Sequence, residues 1–127
     1  MTTEKKIYEL HHEHQEWLKK LSFYKDDLAV MEKRIEEVAS KNTSKEVQAM
    51  VDHFLNQFLI QREHINHLKH EIKNHENILQ ASITHNTTAV DHRSVPDEGE
   101  EREKLARFEE LFSELRDDLN GFLAKVL

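Results

Sequence analysis

No cysteine occurs in these 127 residues. The chain therefore has no disulfide framework, no thiolate metal site and no thiol nucleophile. One proline and two glycines are too little punctuation for anything but a few long elements. Gly99 and Gly121 stand too far apart for a phosphate-cradling loop. No apolar run approaches the roughly 18 residues that cross a bilayer. The start, MTTEKKIYEL, lacks the apolar stretch of a signal peptide. Apolar residues are 37% of the chain and the mean hydropathy is −0.80, which suits thin stripes on long helices rather than a thick core. A soluble, cytoplasmic protein is expected.

Basic charge is also short. The net charge is −7, with 18 Lys and Arg against 25 Asp and Glu. Such a chain repels phosphate backbones, and it has no polybasic cluster for anionic lipid. Nucleic acid and membrane surfaces are thus excluded as partners, leaving another protein or a second copy. Ten histidines are what the chain has in plenty. Protonating all of them would turn the net charge positive, so a pH-responsive assembly is one reading.

Apolar residues recur at alternating steps of three and four. One series runs from Ile7 through Leu10, Trp17, Leu21, Leu28, Met31 and Ile35 to Val38, interrupted by His14. A second runs from Val47 through Val51, Phe54, Phe58, Ile65, Leu68 and Ile72 to Leu79, interrupted by Gln61 and His75. A third runs unbroken from Leu105 to Val126. Heptads of this length predict supercoiled helix packing. Helices are expected over about 4–41, 44–85 and 97–126, joined by a tight turn at Asn42 and a loop over about 86–96. Thr43 to Glu46 reads as a capping box. The fold class is an all-α, up-down-up, antiparallel three-helix coiled-coil bundle, one domain over residues 1–127.

The helices are unequal, and this carries the functional expectation. If the third helix starts beside the end of the second and runs back, Val126 falls near Phe58. A two-helix tip would then lie uncovered, made of Leu28, Met31, Ile35 and Val38 with Val47, Val51 and Phe54. Met50, Leu55, Leu59 and Ile60 widen its apolar stripe, and a broad exposed stripe marks an interaction surface. The favoured reading is a non-enzymatic interaction or scaffold module that forms a homodimer, or docks a protein partner, through this tip. No cofactor is expected.

Polar residues inside the seam set the alternatives. Antiparallel pairing places Tyr24 opposite Gln61, where a hydroxyl–amide bond would fix register. The same pairing brings His14 towards His75. A polar layer that pins the register is the simpler reading. The alternative is a zinc- or iron-binding bundle using His14 and His75, with Glu71 as carboxylate ligand. A ferritin-like dinuclear pattern is absent, because only Glu9 and His12 give Glu-x-x-His where two such pairs are needed. His64, His67 and His70 fan around one helix by roughly 120°, so they cannot all face one ion. In the loop, Ala89 to Arg93 offers a histidine and an arginine, expected to contact a helix rather than an anion.

Overall fold

The structure is a computed structural model describing the backbone of residues 4–85 and 94–127. Three helices dominate: α1 (Ile7–Lys41), α2 (Lys45–His85) and α3 (Gly99–Val126). They pack up, down and up around one apolar seam from Trp17 to Leu123, the all-α bundle implied by the heptads. Among the described residues, no helix is long and apolar enough to cross a membrane. The loop segment from Ala89 to Arg93 lies outside the described residues.

The element ends differ from the sequence expectation. Glu4–Lys6 was expected in the first helix and Ser94–Pro96 in the loop. They form instead two short strands, β1 and β2, paired antiparallel with Lys5 opposite Val95. Pro96 has no N–H to donate and biases its predecessor to extended backbone, so α3 starts only at Gly99. At the tight turn, Asn42 leaves α1 in extended backbone, and its Oδ1 accepts the Ser44 N–H at 3.1 Å. Ser44 then caps α2 by accepting the Val47 N–H at 3.3 Å. The cap thus sits one residue beyond the expected Thr43–Glu46 box. Gln48 closes the hairpin by donating to the carbonyls of Asn42 and Ala39.

The register of α3 is the main correction. Phe122 packs against Phe54 with ring centroids 5.4 Å apart, and Phe122 and Val126 share a groove with Val47 and Met50. α3 therefore reaches about two turns further than expected. The reason lies at its start, which sits beside His75 rather than His85: Glu101 Oε2 is 3.5 Å from His75 Nε2. The last turns of α2 run on past it. Along the parallel α1–α3 flank, Glu13 pairs with Arg102, Lys20 with Glu109 and Asp27 with Arg116. The rungs repeat every seven residues on both helices. Each is part-exposed and contributes only ~0.2–1 kcal/mol, so their value is in alignment.

The expected tip is consequently closed. Leu28, Met31, Ile35, Val38, Val51 and Phe54 are buried inside one chain, at 0–4% exposure, while Met50 and Leu55 stay 40% exposed. Val47 is half-buried against the same core. α3 supplies the third wall that the sequence register left missing.

Candidate functional site

Side-chain chemistry concentrates where α1, α2 and the start of α3 meet. His14 is fully buried because it takes a seam position between Leu10 and Trp17. Its Nδ1 bonds Glu76 on α2, and its Nε2 bonds Glu98, just before α3, at 2.5 Å. His11, one turn earlier on α1, bonds the other oxygen of Glu76 through Nδ1. Glu98 turns its second oxygen to His75 Nδ1 at 3.4 Å, and His75 Nε2 meets Glu101. The rings of His14 and His75 lie 6.5 Å apart. Three imidazoles and three carboxylates thus alternate across the bundle.

Electrostatics follow from this alternation. Burial pushes the His14 pKa down, but the bonds to Glu98 and Glu76 outweigh it and leave the group above its ordinary 6.5. Burial pushes Glu76 up, but hydrogen bonds from Gln80, His14 and His11 hold it below the usual carboxylate range. Glu101 is raised, first by burial and then by the charge of Glu71 beside it. Glu71 is lowered, chiefly by Lys104, which donates to it at 2.9 Å. Arg102 closes the α1 side. It donates to Glu13 and Asp97, and its guanidinium stands 5.7 Å over the Trp17 ring.

The sequence placed His14 and His75 in one layer, and the structure brings them there. Glu71 belongs elsewhere, on the α2–α3 side, bonded to Lys104 and 3.0 Å from His67. Three partners were missed: His11, Glu98 and Glu101. His11 flanks the seam rather than filling it, and Glu98 precedes its helix, so no period marks either. The expected Tyr24–Gln61 bond is replaced. Tyr24 donates to Glu109 on α3 at 2.6 Å, because α3 reaches that layer, and Phe108 and Phe112 close around the ring. Gln61 is buried with Oε1 unpartnered among the described residues. Burial first, then Glu109, raises Tyr24 to about 12. An absorbance titration should therefore include one phenol ionising near 12, and Tyr24→Phe should remove that step.

Could the layer hold a metal as it stands? Among the described residues, no three His, Asp or Glu side chains are spaced to hold one ion. His11 and His14 are hydrogen-bonded to Glu76, and His14 also to Glu98. Of the other histidines, His64 and His67 line an open groove between α2 and α3 with Leu68 and Phe108, and His70 faces solvent. No family model, curated protein or solved structure matches the chain.

Proposed function

We propose that the chain binds a divalent transition metal, zinc or iron, through His11 Nδ1, His14 Nδ1 and the Glu76 carboxylate. One observation carries this reading: two imidazole nitrogens from α1 meet the two oxygens of one carboxylate on α2. Two imidazoles with one carboxylate form the donor set of non-haem iron sites and of catalytic zinc. The surroundings fit. A metal-bound histidine usually gives its other N–H to a carboxylate, and His14 Nε2 faces Glu98. His11 is 42% exposed at its side chain, which leaves an open side for water or a small ligand.

In the present arrangement His11 and His14 are each hydrogen-bonded to Glu76. Around a tetrahedral ion with bonds near 2.0–2.1 Å, donors stand roughly 3.3 Å apart. The three side chains must part to admit an ion. Metal binding then releases the proton of His14, whose pKa lies above 6.5, so affinity should rise as the pH climbs past about 6.5. The test is zinc titration of chelator-treated protein against a chromogenic competitor. Glu76→Gln should weaken the strongest site by at least ~100-fold, in line with loss of a direct ligand. An unchanged affinity in that variant sinks the reading.

Self-association remains a separate proposal. Of the expected tip, Met50, Leu55 and Leu59 on α2 stay exposed, at 40%, 40% and 52%. Light scattering of wild type and Leu59→Glu tests it directly, and an identical monomer mass for both removes the proposal.

A further inference from the structure

Leu55 and Leu59 belong to a longer stripe on α2. Gln48, Asp52, Leu55, Leu59, Arg62 and Asn66 follow one another at alternating steps of four and three, so they share one face of the helix. Met50 lies outside it, in the groove with Phe122 and Val126. Arg62 fixes where the face points. It pairs with Glu32 of α1, so the stripe runs along the α1–α2 edge, away from the side where Glu71 meets Lys104 of α3. Lys25, Ala29 and Glu36 stand seven and three residues before Glu32 and four after it, which continues the same edge on α1. All three are exposed, as are Asp52, Leu55 and Leu59. Charge on this face has an order. Acid lies towards the α1–α2 turn, at Asp52 and Glu36, and base lies beyond the leucines, at Arg62 and Lys25. Turned end for end about a two-fold axis between the leucines, the stripe matches itself. Leu55 meets the second copy's Leu59, Asp52 meets the second copy's Arg62, and each contact is made twice. Lys45 and the second copy's Lys69 come level only at the outer ends, where helices crossing at about 20° have parted.

We propose that two copies of this chain pair antiparallel along α2, with Leu55 and Leu59 at the centre and an Asp52–Arg62 ion pair at either end. The pairing rests on the self-association proposed above and specifies its register. Arg62 then bridges two carboxylates, Glu32 of its own chain and Asp52 of the second copy, and a guanidinium has donors enough for both. A parallel, in-register pairing would bury the same leucines but set Asp52 against Asp52 and Arg62 against Arg62. Charge therefore selects the antiparallel arrangement. The contact is short, ~27 Å of helix between Gln48 and Asn66. It is smaller than a standard interface, so the dimer is weak and depends on concentration.

The experiment is analytical ultracentrifugation of the full chain over a concentration series, with helicity checked by circular dichroism. Wild type should dimerise as concentration rises. Asp52→Arg and Arg62→Asp, each alone, should raise the dissociation constant by at least ~10-fold, because each sets like charges together at both ends. An equimolar mixture of the two variants should dimerise about as tightly as wild type, since every end is then opposite in sign again. Mixing cannot repair a chain that is merely damaged in fold. Should Arg62→Asp not fold, Asp52→Glu takes the place of the mixture: it keeps the charge at an exposed position, and it should dimerise like wild type while Asp52→Arg does not. A wild-type dimer that neither charge reversal weakens overturns the pairing and leaves self-association standing. So do two monomeric variants that stay monomeric when mixed, or an Asp52→Glu chain as weak as Asp52→Arg. A wild type that is monomeric at every concentration overturns both.

Discussion

Val51→Glu will abolish the cooperative unfolding transition of the single chain. Val51 is 3% exposed and packs in the same cluster as Phe54, Met31 and Phe122. Losing its burial removes roughly 1.5–3 kcal/mol, and an unpaired buried carboxylate costs several kcal/mol more. A domain of this size has only ~5–15 kcal/mol in total. Leu59→Glu, at a position 52% exposed, should shift stability by no more than about 0.5 kcal/mol. Denaturant melts and light scattering on both variants separate fold from assembly. If Val51→Glu melts like wild type and only its oligomeric mass falls, the tip is an interface and the closed register of α3 is wrong.

Replacing His14 by Ala should destabilise the metal-free protein by roughly 3–5 kcal/mol at mildly acid pH, because it removes one partner of a buried charge cluster. The groups facing His14 are Glu76 and His75 from α2, His11 from its own helix, and Glu98 ahead of α3. Trp17, under Arg102, closes the remaining side. The sign follows from the shift. Glu98 and Glu76 raise the His14 pKa against the opposing effect of burial. Its stabilisation is then complete below the unfolded value near 6.5 and is lost as pH rises through the folded one. The gap between wild type and His14→Ala should therefore narrow towards alkaline pH. Glu76 works the other way: its lowered pKa stabilises above about 4.5 and is lost as pH falls. Equal melts for wild type and His14→Ala at pH 6 would remove the cluster's energetic role. His14→Gln, which keeps volume and a donor, should recover part of the loss.

The helices were legible because each apolar stripe is a local, repeated signal. Leu21, Leu28 and Ile35 sit at one heptad position, and all three are fully buried. The slide of α3 was not legible. Heptads look alike after a shift of seven, and the loop before α3 carries no period that fixes where it delivers the chain. That slide decided the rest. It closed the expected tip, gave Tyr24 the Glu109 carboxylate instead of Gln61, and set Glu98 and Glu101 beside His75. The site was half legible for a related reason. His14 and His75 break an apolar stripe, so the period exposes them, whereas His11 occupies a flanking position where charged residues are ordinary and Glu98 lies ahead of its helix.

The α1–α3 ladder has a further consequence when its signs are read in order. Along α1 they run minus, plus, minus through Glu13, Lys20 and Asp27; along α3 they run plus, minus, plus through Arg102, Glu109 and Arg116. A slip of one heptad in either direction would keep every apolar layer in phase yet set like against like at each remaining rung. Acid would then face acid, Glu13 against Glu109, or cation face cation, Lys20 against Arg102. Like charges brought together in this way destabilise the wrong pairing by about as much as the right one gains, so the difference between the two registers is roughly doubled. The alternation works as a parity check on a repetitive core: apolar packing alone cannot count heptads, and three weak ion pairs can tell odd from even.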